Sequence, residues 1–118
     1  ANPISMRAAV DDLIANGGAR RVAVLGDMLE LGADEREYHA RLGEHAAAAG
    51  VDVLVAVGPL AAAIADRFGG ERHAVADADR AAKLVAELVA PGDVVLVKGS
   101  RGVGLERVCQ ILGARDAR

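Results

Sequence analysis

Two short stretches of this chain carry side chains that could do chemistry. Lys98-Gly99-Ser100-Arg101 places two cations and a hydroxyl around a glycine. Arginine can grip a carboxylate or phosphate with two parallel hydrogen bonds, and serine can donate to the same anion. Gly26-Asp27-Met28-Leu29-Glu30-Leu31-Gly32 places two carboxylates between glycines. Asp27 and Glu30 could orient an amine or share the water shell of a cation. Met28, Leu29 and Leu31 could equally do no more than cover the end of a sheet. The first stretch is not a P-loop, because the four-residue spacer and terminal Gly-Lys-Ser/Thr are missing. The second lacks Gly-x-Gly-x-x-Gly, so a dinucleotide site is not expected.

Both stretches follow strand-like runs. Val94-Val95-Leu96-Val97 is apolar without alternation, which predicts a strand buried on both faces of a parallel sheet. Arg21 to Gly26 reads as the first strand, Val51 to Val57 as the second and His73 to Ala76 as a short third. Helical patterns lie between them. Asn2 and Pro3 suit the cap and first position of a helix with Met6, Val10, Leu13 and Ile14 on one face. Gly17-Gly18 should stop it. Asp34 with Glu37 resembles a capping box for a helix running to about Ala49. Pro59 should open another, closed by Gly69-Gly70. Asp77 or Asp79 should cap a helix over Ala81 to Val89, with Leu84, Val85 and Leu88 as its apolar face. The last helix carries Leu105, Val108, Cys109 and Leu112 on one stripe, and Ala114 to Arg118 should fray.

Strands alternating with helices predict a three-layer α/β/α, Rossmann-like domain with a mainly parallel sheet of about four strands. Ligands of such sheets bind at the carboxyl ends of the strands, where both stretches fall.

Composition narrows the function. The chain has 118 residues, enough for one domain with a real core. That core must be built from small aliphatics, since Tyr38 and Phe68 are the only aromatics. A formal charge of -3 gives no basic field and argues against nucleic acid. Cys109 is alone, so neither a disulfide framework nor a cysteine metal cluster is expected. His39 and His45 do not share a helix face in metal-ligand fashion, and all three histidines read as structural or solvent-facing. No apolar run is long enough to span a bilayer, and a cytoplasmic setting is expected. The start at Ala1, without an initiator Met, suggests a fragment or a processed product.

Taken together and in order, four pieces resemble the C-terminal domain of the Mur ligases. They are Asn2-Pro3 with Ser5-Met6-Arg7-Ala8, Val24 to Gly32, Ala56-Val57-Gly58, and Lys98 to Arg101 with Glu106 downstream. The resemblance covers essentially the whole chain. It is strongest to the branch that joins D-alanyl-D-alanine to UDP-N-acetylmuramoyl-tripeptide through an acyl phosphate. It implies that the chain closes over a central domain of the same enzyme, which carries ATP and magnesium. Ser100 would bind the carboxylate of the incoming dipeptide, flanked by Lys98 and Arg101. Asp27 and Glu30 would orient its ammonium, and Asn2 would lie near the nucleotide. The family's P-loop, magnesium ligands and UDP-sugar domain are absent here, so the chain is expected to be a fragment, inactive alone, and a monomer. The competing expectation is a free-standing ligand-binding or partner-docking module without catalysis.

Overall fold

The computed structural model describes residues 1–16 and 18–116, and the side chains of Arg101 and of residues 113–116 lie outside the described set. Gly17, expected to help stop the first helix, also lies outside it. The elements are α1 (Pro3–Ala15), β1 (Arg20–Gly26), α2 (Glu35–Ala49), β2 (Val53–Val57), α3 (Ala62–Phe68), β3 (Glu71–Val75), α4 (Ala78–Leu88), β4 (Asp93–Lys98) and α5 (Glu106–Asp116). The four strands form one parallel sheet in the order β3-β2-β1-β4.

Side-chain alternation along each strand sorts the core into two layers. Ala23, Leu25, Leu54 and Ala56 pack with Met6, Val10 and Leu13 of α1, Leu42 and Ala46 of α2, and Ile64 and Phe68 of α3. Val22, Val24, Val53, Val55 and Val57 pack with Ala81 and Val85 of α4 and Val108 of α5. The expected three-layer α/β/α arrangement is therefore present. Gly43 lets α2 and α3 meet backbone to backbone: a Cβ there would stand 2.1 Å from the Ile64 carbonyl oxygen.

Local chemistry explains most element ends. Asn2 caps α1 by accepting the Ser5 amide, and Ser5 returns the bond to the Asn2 backbone, with Pro3 at the first turn. Asp77 caps α4 through the Arg80 amide. Gly50 closes α2 in the left-handed conformation.

Several expectations are corrected. Asp34 makes no side-chain cap at α2, because its backbone is not in the extended conformation that aims a capping carboxylate at the helix. Pro59 lies in a turn, and α3 begins only at Ala62. β2 starts at Val53, two residues later than its apolar run, and β3 covers Glu71–Val75, because pairing with β2 sets its length. β4 is half-buried throughout, since it forms the edge of the sheet next to β1 alone. Cys109 is exposed, just off the stripe made by Leu105 and Val108. α5 is helical to Asp116, and residues 117–118, the end of the tail expected to fray, lie outside the described set.

Candidate functional site

The chain runs outward from β1 through β2 to β3, with α2 and α3 on one face. It then crosses by α4 on the other face to place β4 on the far side of β1. The connections leaving β1 and β4 thus diverge to opposite faces of the sheet. This is the topological switch point, where open α/β sheets leave a crevice. The loops leaving these two strands are the two chemically suggestive stretches. Glycines let them touch: a Cβ on Gly99 would stand 3.0 Å from the Gly26 Cα.

Hydrogen bonds tie the loops together. The Ser100 amide donates to the Asp27 carbonyl at 3.0 Å, and the Leu29 amide donates to Ser100 Oγ at 3.0 Å. The Ser100 hydroxyl therefore receives one bond and keeps its own proton to donate. Lys98 is half-buried at the end of β4, level with Leu25, and makes no ion pair among the described residues. By alternation it shares the face of Leu96, beneath α1 and α2.

The two acidic residues have separated roles. Asp27 is 6% exposed, and its Oδ1 accepts the Ala61 amide at 2.7 Å. It thereby satisfies a donor at the start of α3 that no residue of that helix reaches. Gly58 makes room for it: its φ is +114°, and a Cβ would lie 2.5 Å from Asp27 Oδ1. Asp27 is thus built into the frame. Glu30 is exposed and has a φ of 63°, the left-handed region that costs an L-residue about 1–2 kcal/mol. It is the non-glycine residue found there among the described residues.

His39 is the contributor that sequence reasoning set aside. It is fully buried; Met28 donates its amide to Nε2 at 2.9 Å, and Nδ1 lies 2.6 Å from the Glu35 carbonyl. No spacing rule links a histidine in α2 to the amide of a preceding loop. Its place just after that loop was the available signal. Asn2 returns to this same edge, because the short link from α1 to β1 makes the two antiparallel. Its side-chain oxygen is occupied by the Ser5 amide. The backbone of Arg101 opens a short 3-10 turn, while its side chain lies outside the described residues. A separate groove between α4 and α5, of about 630 Å³, is lined by Asp79, Lys83, Arg107 and Ile111. None of the sequence-selected site residues lines it.

Residues 1–101 match the family model described as Mur ligase, glutamate ligase domain. The chain belongs to this Mur ligase domain family. It is 40% identical over 114 residues to a UDP-N-acetylmuramoyl-tripeptide–D-alanyl-D-alanine ligase of Escherichia coli (strain K12), covering 95% of this chain and 25% of that protein. The corresponding ligase of Mycobacterium leprae (strain TN) is 41% identical over 133 residues, covering 95% and 26%. Among solved structures, MurF of Acinetobacter baumannii superposes with a TM-score of 0.82 at 33% identity, over 93% of this chain and 25% of that one. MurF of Thermotoga maritima in complex with ADP gives 0.78 at 32%, over 94% and 25%. The chain therefore spans about a quarter of the length of these relatives. As a Mur ligase domain it has no described helix long and apolar enough to cross a membrane.

Proposed function

We propose that this chain is the C-terminal domain of the ligase that joins D-alanyl-D-alanine to UDP-N-acetylmuramoyl-tripeptide, in a cytoplasmic, monomeric enzyme whose preceding domains bind the UDP-sugar and ATP. The observation that carries this reading is the tie between Ser100 and the Asp27–Leu29 loop at the β1/β4 switch point. It leaves a serine proton beside a half-buried lysine, and an exposed glutamate on the adjoining loop. A zwitterionic dipeptide needs that pair of opposite poles.

In this reading Ser100 and Lys98, with Arg101, bind the dipeptide carboxylate. Glu30 orients the ammonium, and Asp27 supports the loop from beneath. In the family reaction the tripeptide carboxylate would take the γ-phosphoryl group of ATP and release ADP, giving an acyl phosphate, with magnesium supplying charge neutralisation in the ATP-binding domain. The described residues do not fit that centre: no group of three metal-ligating side chains converges among them, and the chain has no P-loop. What this chain contributes is position. The dipeptide amine, once it has lost a proton, attacks the acyl carbon; the tetrahedral adduct collapses to the amide and expels phosphate. Holding the amine against that carbon can be worth roughly 7–11 kcal/mol in favourable cases. Asn2, held in its cap, stands where the chain would enter from the ATP-binding domain. The docking-module alternative has no observation in its favour.

The test is ATP-dependent phosphate release by the full-length protein, with UDP-N-acetylmuramoyl-tripeptide present and D-alanyl-D-alanine varied. Ser100→Ala should raise the KM for the dipeptide roughly tenfold, the loss of about one hydrogen bond to a charged group. Absence of dipeptide-dependent release from folded wild-type protein would sink the ligase reading. An unchanged KM in the variant would remove Ser100 from the carboxylate site.

A further inference from the structure

Three successive amides of the β1 loop are held by three different parts of the fold. Asp27 N–H donates to the Val57 carbonyl at the end of β2, Met28 N–H to His39 Nε2 on α2, and Leu29 N–H to Ser100 Oγ after β4. The next residue is Glu30, in its left-handed conformation. Such a conformation persists only where the surroundings over-determine the backbone. The Val57 and Ser100 bonds anchor the loop to the sheet. The His39 bond anchors it from the side, to the first turns of the following helix.

The chemistry of that bond is one-sided. Met28 N–H is a donor, so Nε2 must be an acceptor; the Glu35 carbonyl is an acceptor, so Nδ1 must carry the proton. His39 is fully buried, and both ring nitrogens face backbone partners. A side chain that only filled this space could be any apolar group of similar size.

The geometry points to His39 as a positioning residue: in its Nδ1–H tautomer it accepts the Met28 amide and so fixes where Glu30 stands relative to Ser100. The catalytic consequence rests on the ligase reading above, whereas the hydrogen bond itself does not.

Two substitutions separate the roles. Glutamine can bring a carbonyl oxygen to the position of Nε2 and keep the acceptor for Met28. Asparagine reaches only the position of Nδ1 and keeps the donor to Glu35. In the full-length protein, His39→Gln should stay within about twofold of wild type in the KM for D-alanyl-D-alanine, while His39→Asn raises it roughly tenfold, with kcat moved less. Hydrogen exchange should show the Met28 amide protected in wild type and His39→Gln and unprotected in His39→Asn. Nitrogen NMR of histidine-labelled wild type should find His39 as the Nδ1–H tautomer. An Nε2–H tautomer, or equal Met28 protection in the two variants, overturns the proposal whether or not the enzyme proves to be the ligase. In an active enzyme, equal KM values for the two variants overturn it as well. Should neither variant fold, the tautomer decides.

Discussion

β1 and β4 run side by side, and their two ends are built on opposite plans. At the entering end, Arg20 faces Asp93 in register. The Arg20 Nη2 lies 2.8 Å from Asp93 Oδ2, and the same group donates to the Leu88 carbonyl; Asp93 also accepts the Ala90 amide at 2.9 Å. The carboxylate is only 5% exposed, and its hydrogen bond from Arg20 holds its pKa below the usual aspartate range. The same bond raises that of Arg20 further. At the leaving end, Leu25 faces Lys98 in register. There the lysine has no ion-pair partner among the described residues, the serine keeps a free proton, and Glu30 is exposed in a strained conformation. One end uses its charges to hold the strands in register. The other leaves its charges without ion-pair partners among the described residues, and the proposed ligase reading assigns them to the dipeptide. On the proposed reading, a single strand pair divides stability from binding along its length.

The comparison can be broken or sharpened. The largest effect is expected from Gly58→Ala. It forces a Cβ into the Asp27 carboxylate at a φ of +114° and removes the support beneath the leaving end. Chemical denaturation should show a loss of roughly 2–4 kcal/mol, from backbone strain plus overpacking. Asp93→Asn should cost less, about what one or two charge-assisted hydrogen bonds contribute. Its signature is pH dependence. Because the folded pKa is lowered, the stabilisation is present above the ordinary aspartate value of about 4 and is lost as pH falls through the folded value. Wild type should therefore lose its advantage over Asp93→Asn on acidification below about pH 4. If the gap is constant with pH, the pair does not work electrostatically. The smallest effect has the opposite sign. Glu30→Gly should stabilise the fold by roughly 0.5–1 kcal/mol by relieving the left-handed strain, while weakening use of the dipeptide. A destabilised Glu30→Gly protein would show that the glutamate belongs to the frame like Asp27.

The alternation of strands and helices was legible because buried parallel strands read as apolar runs and glycines mark their ends. Met6, Val10 and Leu13 took their places from helical spacing alone. The strand order was not legible, and so neither was the edge position of β4, because Val94 to Val97 read as apolar wherever the strand sits. The partition of Asp27 from Glu30 was also hidden: two carboxylates three apart in a loop look alike until Gly58 and the Ala61 amide claim one of them. His39 was visible as a position but not as a bond, since its partner is a backbone amide that carries no sequence signature.

The small-aliphatic core has an optical consequence. The chain contains no tryptophan and one tyrosine, Tyr38, which is partly exposed on α2 next to His39. Its ultraviolet emission therefore comes from a single phenol one residue from the pin that holds the candidate site loop. A tryptophan placed by design at exposed Ile4 would report from the same edge of the sheet against a dark background. In a longer protein, any tryptophan signal of natural origin would report on the other domains.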